Sequence, residues 1–146
     1  MTEKINWLRD EEPSGYQKLI GYEVTDWREG YAEMILPVRQ ELTNRAGDLH
    51  GGVLATLVDS VGGFAGCFCN VEGNVRRCLT LTMSTSFVGP VKGGTIKAIG
   101  QKQGGGRRVF FSSIRIVNED GSLIATGEGT YRYRGNSGSP EGEPLE

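Results

Sequence analysis

Hydrophobic and polar positions alternate in two short runs near the start of the chain, at 22–27 and 31–38. The Arg28-Glu29-Gly30 break between them predicts a hairpin. A short helix is expected just before it, within 13–20. Residues 41–49 are polar, with Asn44 and Gly47 as turn formers, and lead into an apolar run from Gly51 to about Cys69 that predicts the one long helix. Four stretches of strand-like composition follow, at 78–88, 95–102, 109–117 and 123–133. Gly93-Gly94, Gly104-Gly105-Gly106 and Asn118-Glu119-Asp120-Gly121 separate them as hairpin-type turns, so consecutive strands are expected to pair antiparallel. Two strands, one long helix and four strands suit an α+β fold in which an antiparallel sheet curls around a single buried helix. Residues 1–134 read as one domain and 135–146 as a flexible tail.

The central run is apolar around its whole circumference, and Gly62, Gly63, Ala65 and Gly66 are small enough for neighbouring backbone to approach closely. Such a run has the length of a membrane span. Asp59 near its middle, its glycines and the polar pattern of the remaining chain argue against that reading. At 146 residues, with 37% hydrophobic and 23% charged content, the chain fits one domain with a modest core. A net charge of -2 gives no general electrostatic reason to bind nucleic acid or an anionic membrane. The first twelve residues lack the apolar stretch of a secretory leader, so a cytoplasmic location is expected. Cys67, Cys69 and Cys78 are odd in number and read as core thiols rather than a disulfide framework. His50 is distant from them in sequence, and no metal site is expected.

Asp59 is the charged group of a helix otherwise built for burial, and a carboxylate in that setting must be paired, hydrogen bonded or reactive. The polar loop Asn44-Arg45-Ala46-Gly47-Asp48-Leu49-His50-Gly51-Gly52 runs into the start of the same helix. Unpaired N–H groups at Gly51 or Gly52, with the Asn44 amide, can face a developing oxyanion there. A capping loop whose glycines only permit a tight turn has the same composition. Strict alternation puts Cys78, Thr80, Thr82, Ser84 and Ser86 on one strand face and Leu79, Leu81, Met83, Thr85 and Phe87 on the other. Gly104-Gly105-Gly106-Arg107-Arg108 offers backbone donors and two guanidinium groups for phosphate, with Arg76 and Arg77 as competitors and a solvated turn as the plain alternative. Val61, Phe64, Phe68 and Phe87 are candidates for an acyl pocket, and core packing explains them equally well.

From Leu42-Thr43-Asn44 through His50-Gly51-Gly52 to Leu57-Val58-Asp59, the order and spacing of asparagine, histidine-glycine-glycine and aspartate resemble the hotdog-fold thioesterases. The similarity is to the branch of the phenylacetate-pathway thioesterase and thioesterase superfamily member 2, and it spans roughly 21–133. It implies a hotdog fold and hydrolysis of an aromatic or medium-chain acyl-coenzyme A, with coenzyme A part of the substrate and no cofactor. It also implies that Asn44 and Gly51 polarise the thioester carbonyl and that Asp59 acts as general base or as nucleophile. Thr80 stands where relatives carry a hydroxyl that orients water. His50 matches a histidine that orders the loop, and Gly52 lies at the substrate. A homodimer or homotetramer, a dimer of dimers, is expected, with each site shared between two chains. A hotdog hydratase or dehydratase and a non-catalytic acyl-coenzyme A binder are the alternatives. The His-Phe-Pro-Gly and Asp-x-Asn-Pro patterns of the former are absent from the chain.

Overall fold

The computed structural model describes residues 12–145, so the first eleven residues, most of the stretch read for a secretory leader, lie outside it. Its elements are α1 (Gly15–Ile20), β1 (Glu23–Arg28), β2 (Tyr31–Pro37), α2 (Gly51–Gly66), β3 (Asn74–Val75), β4 (Cys78–Phe87), β5 (Thr95–Gly105), β6 (Val109–Val117), β7 (Leu123–Tyr133) and β8 (Glu143–Pro144). Six strands form one antiparallel sheet in the order β1-β2-β5-β6-β7-β4, and α2 packs against one face of it. This is the α+β hotdog arrangement that the residues imply.

Alternation produces the core. Ala32, Met34 and Leu36 of β2, Ile96 and Ala98 of β5, and Phe110, Ile114 and Ile116 of β6 all turn inward, at 2% exposure or less. They meet Val53, Leu54, Leu57, Val58 and Val61 of α2. The glycines of the helix admit side-chain rings more than backbone: a Cβ on Gly62 would run into the Tyr131 hydroxyl, and one on Gly66 into the Phe110 ring. At Gly100 of β5 the backbones do come close, since a Cβ there would sit 2.6 Å from the Val61 carbonyl oxygen. The helix stops at Gly66 rather than near Cys69, and side chains satisfy its last carbonyls. Tyr133 donates to Gly66 O (2.6 Å) and Trp27 Nε1 to Phe64 O (2.7 Å). Nor is α2 buried all round: Gly52, Ala55, Thr56, Asp59, Ser60 and Phe64 form a partly exposed stripe.

Two expectations about strand order and facing change. Gly93-Gly94 is not a hairpin, because β4 pairs with β7 at the sheet edge while β5 pairs with β2 and β6. Residues 88–94 cross the end of the sheet instead, pinned by Leu49 N–H to Val91 O and Val38 N–H to Gly94 O, with Val91 buried. In β4 the register against β7 slips between Thr80 and Thr82, so Leu81 is the extra residue of a bulge. Thr80 opposes the inward Tyr131, whereas Met83, Thr85 and Phe87 oppose Gly129, Gly127 and Ala125 of the same inward row. The inward set is therefore Cys78, Thr80, Met83, Thr85 and Phe87, which no strict alternation produces.

The segment 135–145, whose composition predicts a flexible tail, folds back onto the body. Its strand β8 pairs with β3, and Ser137 is fully buried. Arg76, 7% exposed, is the clasp: it donates to Ser137 O, Gly138 O and Phe68 O at 3.3, 2.9 and 3.3 Å. No helix of the described residues is long and apolar enough to cross a membrane. Arg76→Ala is expected to lower stability by about 3 kcal/mol, because two buried carbonyls and a part-buried one lose a charged donor. It should also open the carboxyl-terminal segment to limited proteolysis before the body, as followed by denaturant titration and peptide mapping.

Candidate active site

The carboxyl-terminal half of the partly exposed stripe of α2 forms one wall of a cavity of about 800 Å³. Asp59, Ser60, Gly63 and Phe64 come from the helix, Cys78 and Thr80 from β4, Tyr22 and Trp27 from the β1 side, and Gln17 and Lys18 from α1. The bulge at Leu81 leaves Thr80 inward, and its hydroxyl donates to Asp59 Oδ1 at 2.5 Å. Among the described residues, no other side chain pairs with this carboxylate. One oxygen is thereby held and the other is left to accept from something in the cavity, the requirement for a base or a nucleophile.

The backbone under Asp59 is fixed from below. Tyr131 donates to Asp59 O (3.1 Å) and Val58 O (3.4 Å), and burial, reinforced by the Asp59 charge, raises its phenol so that it remains a donor. On the solvent side Ser60 donates to the Tyr22 hydroxyl at 3.1 Å, and burial raises that phenol too. Tyr16 meets Thr56 at 2.7 Å, so α1 lies along the exposed stripe and roofs part of the cavity.

The loop before α2 is built as a second unit. Asn44 Oδ1 accepts from Ala46 N–H (2.9 Å) and Asp48 N–H (3.1 Å), which spends the amide oxygen on the loop and leaves its NH2 end as the donor. His50 is the helix N-cap, its Nδ1 accepting from Gly52 N–H at 2.8 Å. Gly52 N–H is thus consumed, whereas Gly51 N–H has no acceptor among the described residues. The Phe87 ring packs on Gly51, where a Cβ would be 3.2 Å away.

The sequence-derived candidates therefore separate into groups. Asp59, Thr80 and Phe64 share the cavity wall. Asn44, His50, Gly51 and Gly52 do not line it; Gly51 is eight residues before Asp59, about 12 Å along a helix axis. Val61 is fully buried in the core and is corrected from pocket lining to packing. Phe87, 59% exposed, belongs with Gly51 rather than with the cavity. Arg107 and Arg108 sit at the β5–β6 turn, outside the cavity wall, while Arg76, Arg77 and Arg134 line it. Trp27, Tyr22, Lys18 and Arg134 were not legible as site residues. They come from four separate elements or loops and carry no motif. Among the described residues, no three His, Cys, Asp or Glu side chains gather as metal ligands.

The sequence profile of the Thioesterase superfamily matches residues 46–125. Acyl-coenzyme A thioesterase 13 of Mus musculus is 35% identical over 105 residues, 69% of this chain and 71% of that protein. A thioesterase structure from Haemophilus influenzae superposes with a TM-score of 0.75 at 26% identity, covering 91% of this chain and 90% of that one. A conserved protein from Pseudomonas aeruginosa superposes at 0.78 with 29% identity, over 86% and 98%. With a helix carboxylate held by a strand hydroxyl over such a cavity, these similarities place the chain in the thioesterase superfamily. It is a thioester hydrolase.

Thr80→Val keeps the shape of the side chain and removes the donor to Asp59. The kcat for thioester hydrolysis is expected to fall about tenfold, the worth of one hydrogen bond of roughly 1.4 kcal/mol. Thr80→Ser should stay within about threefold of the parent, and equal rates for both variants would remove Thr80 from the site.

Proposed function

We propose that the chain hydrolyses acyl-coenzyme A esters to a free acid and coenzyme A, at a site shared between two subunits of a homodimer. The observation that carries the reading is the Asp59 carboxylate, held by Thr80 and open to the cavity, in a chain similar to a protein named acyl-coenzyme A thioesterase. Asp59 acts either as base, taking a proton from water as that water attacks the thioester carbon, or as nucleophile, forming a mixed anhydride that water then opens. Gly51 N–H and the Asn44 amide receive the charge that develops on the carbonyl oxygen, where the amino end of α2 favours it. His50 keeps the loop in shape and stays out of the proton transfer.

The second subunit follows from two features. The donors and the carboxylate lie on separate parts of one chain, as the positions of Gly51 and Asp59 on α2 require. The ten-residue strand β4 ends the sheet with an unpaired backbone edge, beside Leu79, Leu81 and Met83 at 45, 51 and 37% exposure. A long apolar edge of this kind calls for a partner strand. Pairing β4 with its copy about a two-fold axis extends the sheet and sets the two α2 helices side by side, so that one subunit's Asn44 and Gly51 face the other's Asp59 and Thr80. A dimer of dimers would preserve the arrangement.

Trp27 and Phe64 meet edge to face at 5.0 Å, and Phe68 approaches Trp27 at 5.8 Å. This aromatic wall suits an aromatic or medium-chain acyl group. Lys18, Arg77 and Arg134 on the cavity wall are better placed for the coenzyme A phosphates than Arg107 and Arg108. Three unpaired cysteines fit the reducing cytoplasm.

A panel of acyl-coenzyme A thioesters followed by release of free thiol separates hydrolysis from hydration and from binding alone. Asp59→Asn should lose on the order of 100-fold or more in kcat while its thermal unfolding stays normal, and near-normal turnover would sink the assignment. Asp59→Asn and Asn44→Ala dimers should each be nearly inactive, yet refolding them together should restore roughly a quarter of parental activity through mixed dimers with one intact site. No recovery in a mixture shown to contain mixed dimers would place the site within one chain. Arg77→Ala with Arg134→Ala should raise KM for coenzyme A esters several-fold, by roughly 1 kcal/mol or more, with little change for a short thioester that lacks the nucleotide.

A further inference from the structure

Two thiols that hydrolysis does not use face the same cavity as Asp59. Cys67 is the C-cap of α2 and Cys78 is the first residue of β4. Both line the cavity wall, and each lies close enough to perturb the other directly. Cys78 lies two residues before Thr80 on the inward row, with its sulfur over Gly63, where a Cβ would be only 3.3 Å away. The contrast is Cys69: it is buried, its thiol donates to Glu141 O at 3.1 Å under the folded-back tail, and it does not line the cavity.

The pair is asymmetric. Cys67 pushes the Cys78 thiol below its ordinary range, opposed by burial and by Asp59 and helped by Arg134. The Cys67 thiol is pushed well up, by Cys78 and by burial, against the opposing charges of Arg76 and Lys102. A half-buried thiol on the cavity wall beside a buried one is the arrangement of an attacking and a resolving cysteine.

The geometry points to Cys67 and Cys78 as a thiol–disulfide exchange site in the cavity wall, taking the disulfide of a pantetheine-type thiol and closing into an intrachain disulfide that blocks hydrolysis. A cavity that admits a thioester of such a thiol, as under the function proposed above, also admits its disulfide. In the first step the Cys78 thiolate attacks one sulfur of R–S–S–R. The old S–S bond breaks, R–S⁻ leaves and takes up a proton, and Cys78 carries the mixed disulfide. Cys67 then gives its proton to solvent and attacks the Cys78 sulfur, expelling the second R–S⁻. The two cysteines are oxidised by two electrons and R–S–S–R is reduced to two thiols. The mixed disulfide places its R–S group in the cavity that Asp59 and Thr80 line, and the closed disulfide ties the end of α2 to the start of β4, two residues before Thr80.

The test exposes the reduced, full-length protein to coenzyme A disulfide, then records intact mass, peptide maps and thioester hydrolysis. Wild type should lose two hydrogens at Cys67 and Cys78 together with most of its activity, and a thiol reductant should restore both. Cys67→Ser should trap one coenzyme A on Cys78. Cys78→Ser should remain unmodified and keep its own untreated rate, and Cys69→Ser should respond like wild type. The proposal is overturned if Cys67→Ser gains no adduct, if oxidation falls on Cys69 instead, if Cys78→Ser is inhibited as strongly as wild type, or if the disulfide forms without loss of activity. The mass readout does not depend on turnover, so failure of the thioesterase reading would be seen separately as a reduced protein without hydrolysis.

Discussion

The close seating of α2 on the sheet is the constraint from which the site follows. Gly62 leaves room for the Tyr131 hydroxyl, Gly66 for the Phe110 ring, and Gly100 lets β5 approach the Val61 carbonyl. The polar groups exposed by that approach are then paired, Ser112 donating to Gly62 O at 2.8 Å and Tyr131 to the carbonyls of Val58 and Asp59. A helix held this tightly has one azimuth, and that azimuth decides which residues face away from the core. Asp59 and Ser60 land on the uncovered stripe because Val58 and Val61 are fully committed to the other side. The Asp59 carboxylate is thus aimed by contacts it does not itself make.

Much of this was legible in the residues. Periodicity located β6 and β7 at their observed bounds and the start of α2 at Gly51, because alternating inward residues and a capping histidine are local signals. The spacing of Asn44, His50-Gly51-Gly52 and Asp59 pointed to the family to which the chain belongs. What local signals do not encode is which strand lies beside which. Turn glycines look alike whether the chain turns back, as at Gly30, or crosses the sheet, as at 88–94. The bulge at Leu81 was equally hidden, since nothing in Leu-Thr-Leu-Thr-Met distinguishes a slipped register from a regular one. The tail misled for a related reason: its Gly, Ser and Pro content describes a chain with few apolar contacts to offer. What orders it is a cation contributed by Arg76, some sixty residues away.

The same bulge links fold to chemistry. Without it, the face that carries Thr80 would carry Thr82, Ser84 and Ser86 as well, and a row of hydroxyls would run along the helix. With it, Thr80 stays at the carboxylate while Met83 and Phe87 take the inward positions toward the helix start, and Phe87 packs on Gly51. One strand therefore serves a polar requirement at one end and an apolar one at the other. Bulges near sheet edges commonly re-aim side chains in this way.

A carboxylate that removes or replaces a proton must keep an oxygen available, yet an apolar acyl group requires dry surroundings. The cavity meets both demands by separating them along its length. Trp27 and Phe64 make an aromatic wall on the β1 side, backed by Phe68 against Trp27, while Tyr22, Ser60 and Thr80 surround Asp59 with hydroxyls. Burial raises the Tyr22 and Tyr131 phenols, so neither gives up its proton near neutral pH. Asp59 is the carboxylate that the helix itself brings to the cavity, and the hydroxyls of Tyr22, Ser60 and Thr80 lie around it. His50, the chain's one imidazole, is spent on holding Gly52 and the start of α2.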